Sequence, residues 1–343
     1  MSARLAVGLL GAGRLGRVYA RDLATRIPET KLAAVADPAG TIARDVAAEF
    51  DVPKHSTDPF ALVDDSSIDA LVVVSPTDTH RDLVMAAAAR KKPTFCEKPP
   101  ALAIDEVAAM QAAIARSGMF FQMGFMRRFD TGYAAAKKQI DAGRIGTPLV
   151  FKATSRDPFP PSLEYANPKS SGGMLIDMGI HDFDLARWYM GGVQSVAAIG
   201  ATIAYPELKT VGDIDNAIAS LTFTSGTLGV VDLTRSGIYG YDISTEILGL
   251  EGTIRIGYLR ETPVTVMTKN SVAHDTVPYF MERFRDAYTA QLRNFAQNVL
   301  HDRTPPITID DGLEALRIGV AATRARETGK TVAVADIEVA GHA

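Results

Sequence analysis

The chain has 343 residues, with 36 Lys and Arg against 40 Asp and Glu for a net charge of −4, so it offers no basic field for nucleic-acid phosphates or anionic lipid. Hydrophobic residues at 47% and charged residues at 22% describe a folded globular chain, and one domain per roughly 150 residues predicts two or three domains. The single Cys96 closes no intrachain disulfide, Met1-Ser2-Ala3-Arg4 has no signal-peptide layout, and the apolar runs fall far short of the roughly 20 residues that span a bilayer; the expectation is a cytoplasmic protein with neither nucleic-acid nor membrane partners.

Through residue 125 short apolar runs alternate with longer helical patterns, the grammar of crossover units in a parallel sheet. Strands are expected at 5–10, 31–36, 70–74, 94–96 and 120–125, and helices at 41–50, 79–90 and 104–117. Several of the strand runs are continuously apolar, which predicts burial on both faces and a doubly wound Rossmann domain over 1–125. After about residue 148 strand-like runs follow one another, at 193–204, 217–223, 227–234, 242–248 and 253–256, with a hairpin turn at Thr224-Ser225-Gly226. Helical patterns interrupt at 173–190 and 281–300. The expectation for 126–343 is an α+β domain with a large, open, mostly antiparallel sheet, one face of which another subunit could cover. The last helical pattern, 312–328, is a candidate to pack back on the first domain.

Gly11, Gly13 and Gly16, with Arg14 and Leu15 between them, form G-x-G-x-x-G directly after the first strand and at the start of a helical pattern. That spacing makes the tight turn, lets backbone approach a pyrophosphate and allows close helix packing. The second strand ends at Asp37, about 20 residues beyond Gly16, where an acid accepts from both ribose hydroxyls and repels a 2′-phosphate. The cofactor expected is NAD, with Arg14 leaving room for NADP. The loop Ser75-Pro76-Thr77-Asp78-Thr79-His80 follows the next strand, so Ser75, Pro76, Thr77 and His80 are read as cofactor-facing, and Thr77 or Asp78 as a helix cap.

Glu97-Lys98-Pro99-Pro100 closes the following strand. The prolines forbid an immediate helix and hold the loop extended, which makes Lys98 a fixed cation at the ligand side of the sheet, beside Glu97. Further on, Asp177, His181, Asp184 and Trp188 are spaced i, i+4, i+7, i+11 and would share one stripe of a helix. Hydride loss from an alcohol carbon needs a base for the hydroxyl proton and a cation for the developing alkoxide. The residues read for those roles are His181 as base, Asp177 as the group that orients it and binds a substrate hydroxyl, and Lys98 as electrostatic partner; the proton could instead pass through Lys98. A structural histidine with capping aspartates is the alternative, and no metal is expected, because Cys96 is alone and no second His pair offers ligand spacing.

With these motifs, and with Met123 to Asp130, Gly172 to Trp188 and Tyr239 to Asp242, the sequence resembles the Gfo/Idh/MocA family of nicotinamide-dependent oxidoreductases, and within it the inositol branch. The resemblance implies a two-domain subunit, a homo-oligomer (tetramer or dimer) joined through the C-terminal sheet, and a Lys98, Asp177 and His181 catalytic group. It also implies that Met126 and Arg127 line the junction of nicotinamide and substrate, and that Asp157, Tyr239 or Tyr241, and Tyr288 reach the substrate. The activity expected is oxidation of one ring hydroxyl of a cyclitol, myo-inositol first; the alternatives are scyllo-inositol, an aldopyranose oxidised at its anomeric carbon, and a catalytically silent NAD-binding sensor.

Overall fold

The computed structural model describes residues 4–338; residues 1–3, read above for a signal layout, and 339–343, assigned above to the second domain, lie outside them. No helix among the described residues is long and apolar enough to cross a membrane. By internal contacts the chain divides into two compact units, residues up to Met126 with Asp286–Leu313, and Arg127–Arg285 with Glu314–Glu338.

Strands β1 (Leu5–Leu10), β2 (Thr30–Ala36), β3 (Lys54–Ser56), β4 (Ala70–Val73), β5 (Thr94–Glu97) and β6 (Phe121–Gly124) form a parallel sheet in the order β3-β2-β1-β4-β5-β6. Helices α1 (Arg14–Arg21), α2 (Gly40–Glu49), α3 (Pro59–Asp64), α4 (Thr77–Ala89) and α5 (Ile104–Ser117) are the crossovers. All four residues of β4 are buried, which is why that run carries no alternation. β3 escapes the sequence reading because Lys54-His55-Ser56 is short, polar and largely exposed. The order reverses between β1 and β4, so a crevice opens at their carboxyl ends, where such sheets bind ligands.

The chain continues through α6 (Thr131–Asp141), β7 (Pro148–Arg156), α7 (Leu163–Ala166), α8 (Pro168–Ser171), α9 (Met174–Asp177) and α10 (Ile180–Met190). Strands β8 (Val193–Ala201), β9 (Asn216–Phe223), β10 (Leu228–Thr234), β11 (Asp242–Gly249) and β12 (Thr253–Ile256) follow, then a small hairpin of β13 (Thr265–Met267) and β14 (Val272–His274). Helices α11 (Phe280–Arg283), α12 (Arg285–Leu300) and α13 (Ile309–Thr328) precede a last short strand, β15 (Val332–Ala333). The second sheet runs β12-β11-β7-β10-β9-β8-β15. Its pairs are antiparallel except β7 with β10. β7, central here, is not among the strand runs read from the sequence, since its outer positions carry Lys152, Thr154 and Arg156. β9, β10 and β11 alternate buried and solvent-facing residues, and α10 packs on β7 and β10.

The helix expected over 173–190 is two pieces, because Met178 and Gly179 interrupt it. A Cβ at Gly179 would stand 2.5 Å from the Leu175 carbonyl oxygen, so only glycine lets the two turns press together. Likewise the pattern at 281–300 breaks at Phe284 into α11 and α12. From Asp286 onward α12 belongs to the first unit, and α13 divides, Ile309–Leu313 grouping with the first unit and Glu314–Thr328 with the second.

A buried polar knot fastens α12 to the first sheet. Gln291 Nε2 donates to Tyr19 Oη at 2.6 Å and to Glu97 Oε1 at 3.2 Å, and the Tyr19 hydroxyl donates to the same carboxylate oxygen. Gly124 makes room, since a Cβ there would lie 2.8 Å from Glu97 Oε1. Tyr288 packs edge-on to Tyr19, centroids 5.9 Å apart. Burial raises the Glu97 carboxyl above its usual range, against its hydrogen bonds. A carboxyl raised in the folded state contributes stability below its unfolded value that is lost as pH rises through the folded one. Glu97→Gln keeps an acceptor for Tyr19, so it is expected to raise Tm at pH 8 by about 2–4 °C and to leave it unchanged near pH 4; an equal change at both pH values in a melting series would contradict this account of Glu97.

Candidate cofactor and catalytic site

The three glycines after β1 are held to different standards. Gly11 sits at φ +97°, and a Cβ there would stand 2.7 Å from the Ser75 amide nitrogen. At Gly16 a Cβ would run into the Gly11 carbonyl oxygen, so α1 packs on the turn only without one. Gly13, at φ −64° and ψ −160°, has a backbone open to any residue, and a Cβ there would meet no atom within 4 Å. The fold itself therefore does not require glycine at position 13. A bare backbone there suits a group arriving from outside, and α1 starts with no side-chain cap on its first-turn amides, which is how a helix receives a pyrophosphate.

Asp37 follows β2 and braces this cradle. Its Oδ2 accepts from the Ala12 amide at 2.8 Å and its Oδ1 from Ala39 at 2.9 Å. A carboxylate has about four acceptor positions, so capacity for ribose hydroxyls remains. Arg14 is exposed and Leu15 half-buried at the start of α1. These residues fit a dinucleotide with an unphosphorylated ribose.

Across the reversal point Ser75 and Thr79 share a hydroxyl hydrogen bond of 2.6 Å. Helix α4 is preceded by Pro76 with no side-chain cap, so neither Thr77 nor Asp78 caps it as expected; the Pro76 carbonyl accepts from the Thr79 amide at 3.0 Å and from its hydroxyl at 2.7 Å, and Asp78 adds first-turn charge. His80 is buried between two carbonyls, Nδ1 2.9 Å from Pro99 O and Nε2 2.9 Å from Ser75 O, and burial lowers its pKa. It ties the loop after β4 to the loop after β5. There Lys98 is half-buried, its amide donates to Glu97 Oε2 at 3.1 Å, and the Lys98–Pro99 bond is cis. The main chain of Lys98 is thus held from Glu97 on one side and from His80 through Pro99 on the other. Met126 is buried just after β6. Tyr288 belongs to the Glu97 knot of this same unit.

In the second unit Asp177 ends α9 and His181 lies in the first turn of α10, buried. The Tyr165 hydroxyl donates to Asp177 Oδ1 at 2.9 Å, and the Asp177 charge raises the phenol pKa. Arg235 Nη2 lies 3.7 Å from Asp177 Oδ2, and its Nη1 bonds Asp213 Oδ2 at 2.7 Å. Asp184 and Trp188 do not continue an Asp177–His181 stripe as expected. The helix break resets the register, Arg128 pairs with Asp184, and the Arg128 guanidinium covers Trp188 at 5.6 Å. Arg127 is closed into the core, Nη1 at 2.6 Å from Asp182 and Nη2 at 3.2 Å from Ser155. Asp157 follows β7, and burial together with the Asp157 charge raises the Tyr241 hydroxyl. Tyr239 is exposed and donates to Asp242 at 2.8 Å. No group of three or more His, Cys, Asp or Glu among the described residues is arranged to hold a metal.

Sequence reasoning overlooked Tyr165, Asp213 and Arg235. The one signal was a charged residue, Arg235, closing an alternating strand just where the chain must turn.

Residues 5–125 match the GFO_IDH_MocA description "Oxidoreductase family, NAD-binding Rossmann fold", and residues 137–334 match its "C-terminal alpha/beta domain". The chain is 40% identical to the scyllo-inositol 2-dehydrogenase (NAD(+)) of Bacillus subtilis, over 97% of each chain. It is 38% identical to the myo-inositol 2-dehydrogenase of Thermotoga maritima, over 96% of this chain and 99% of that one. The structure of scyllo-inositol dehydrogenase from Lactobacillus casei with bound NAD(H) and scyllo-inositol superposes with a TM-score of 0.92 at 33% identity, covering 97% of this chain and 99% of that one. By both of its domains, the chain belongs to the Gfo/Idh/MocA family of oxidoreductases.

Proposed function

We propose that this protein is an NAD-dependent dehydrogenase that oxidises one ring hydroxyl of a cyclitol to a ketone, with myo-inositol and scyllo-inositol as the substrates to test first. The observation that carries the cofactor half is Gly13, a glycine that the fold does not require, at the amino end of α1 beside Asp37. The substrate half rests on similarity over nearly the whole chain to enzymes named for both inositol isomers. Bound NAD supplies the hydride acceptor, nicotinamide C4. His181 takes the hydroxyl proton, Asp177 orients the imidazole and accepts from a ring hydroxyl, and the Lys98 ammonium stabilises the oxygen as negative charge develops on it. Several fixed donors and acceptors are needed to choose one hydroxyl of a polyhydroxy ring; Asp157, Arg127 and a tyrosine (Tyr239, Tyr241 or Tyr288) are candidates beside the catalytic group. Cys96, buried and the only cysteine, fits a reducing, cytoplasmic setting.

We further propose a homo-oligomer built on the second sheet. Its solvent-facing side carries Ile199, 70% exposed, paired across the ladder with Ile218, 45% exposed, and Leu228 and Leu248 extend the apolar content. Large apolar residues gathered on one sheet face suit burial by another subunit.

Three measurements test these readings. In cofactor titrations Gly13→Ala is expected to weaken NAD tenfold or more (about 1.4 kcal/mol or more) with Tm unchanged or slightly raised, Gly16→Ala to lower Tm, and Asp37→Ala to weaken NAD much more than NADP. Equal loss of both nucleotides in Asp37→Ala would remove the ribose role. In assays of NADH formation at alkaline pH over inositols and aldopyranoses, Lys98→Ala and His181→Ala should each lower kcat by about 10²–10⁴; unchanged turnover would overturn the catalytic assignment, and turnover of pyranoses alone would move the substrate to sugars. Light scattering at micromolar concentration is expected to give a multiple of the subunit mass, and a monomer would defeat the oligomer.

A further inference from the structure

We propose that Arg235 is a positioning residue of the dehydrogenase, a buried cation shared between Asp213 and Asp177 that holds Asp177 fixed in orientation. This rests on the reading that Asp177 belongs to the catalytic group.

Arg235 follows β10 and is 1% exposed. Its amide donates to Asp215 O at 2.9 Å, which pins the main chain where the strand ends. A guanidinium so buried must be matched by charge, and Asp213, itself buried, does this through Nη1 at 2.7 Å. Asp213 spends its other oxygen on the Met174 amide, 3.0 Å away, at the first residue of the short helix that ends in Asp177. Gly173, at φ +77°, brings that turn so close that a Cβ would stand 3.1 Å from Asp213 Oδ1. The Arg235–Asp213 pair therefore locks the base of the segment that carries Asp177.

With Asp213 already matched, Nη2 is left without a hydrogen-bond acceptor and faces Asp177 Oδ2 at 3.7 Å. One cation thus stands beside two carboxylates. Asp177 is the half-buried member, and Asp213 and Arg235 are enclosed, so of the three Asp177 is the one that solvent reaches. From the other side Tyr165 donates to Oδ1. A phenol on one oxygen and a guanidinium beside the other restrict rotation of the carboxylate. The charged and titratable groups placed about Asp177 thus include Tyr165 from α7, Arg235 after β10 and Asp213 behind it, with His181 one turn further along the chain.

The test is kcat and KM measured separately with NAD and the better inositol, on full-length wild type, Arg235→Gln, Arg235→Lys and Asp213→Asn, with a melting curve for each. Arg235→Gln is expected to lower kcat tenfold or more with KM for NAD unchanged, because the carboxylate beside the reacting hydroxyl is no longer held in one orientation. Arg235→Lys keeps the charge and should return part of the lost kcat. Asp213→Asn loosens the pair that locks the base of the same segment, so it should lower kcat in the same way, and it carries the test if Arg235→Gln fails to fold. A lowered Tm with kcat unmoved in these variants would overturn the proposal and leave Arg235 a structural ion pair. Wild-type protein inactive on every cyclitol and aldopyranose would instead overturn the dehydrogenase reading, and this proposal with it.

Discussion

Gly11 and Ser75 approach backbone to backbone where the parallel sheet reverses its strand order, and the first unit is arranged around that approach. A left-handed turn after β1 is needed to bring the chain past the end of β4, and only glycine adopts it without strain. Once the turn is made, α1 starts with its amides toward the crevice, Asp37 can reach the Ala12 amide, and Ser75 is in place to hold His80. His80 then fixes Pro99, and Glu97 fixes the amide of Lys98. A cation at a strand end is ordinarily mobile; here two buried groups on either side hold the main chain that carries it.

The second unit solves a different problem, the burial of guanidinium groups. Arg127 with Asp182, Arg128 with Asp184, Arg283 with Asp130 and Arg235 with Asp213 are each paired within the unit. Such pairs add little net stability compared with apolar packing, but leaving one partner unmatched is costly. They therefore select one arrangement of the segments they join more than they strengthen it. Arg127 illustrates the point: despite the strong burial penalty on a charge, the facing Asp182 carboxylate holds its guanidinium firmly protonated.

Much of this was legible in the sequence, and the reasons for the exceptions are physical. Buried parallel strands announce themselves as apolar runs, so β1 and β4 stand out, whereas β3 is a largely exposed strand of three polar residues and carries no pattern. The G-x-G-x-x-G turn and Asp37 were readable because their spacing is set by local geometry. The helix break at Met178 and Gly179 was not, since it follows from how close two turns can press, and helical periodicity runs through it unbroken. Arg235 and Asp213 are 22 residues apart in the chain and meet only through sheet topology, so a reading by spacing passes over them. The same holds for Tyr19, Glu97 and Gln291, which lie far apart in sequence and form one knot.

Gly13 has a consequence for how this protein can fail. Folding surveillance in a cell responds to exposed core and to unfolding rate, and a methyl group at position 13 disturbs neither, since beyond its chain neighbours a Cβ there would meet nothing within 4 Å. On the proposed placing of the pyrophosphate, a chain altered there would be synthesised, folded and retained at ordinary abundance while its nucleotide site was obstructed. If the turn cradles the nucleotide as proposed, neighbouring Gly11 and Gly16 are guarded twice, by stability and by ligand, but Gly13 is guarded by the ligand alone, and damage to it would be silent in every assay except one that supplies the nucleotide.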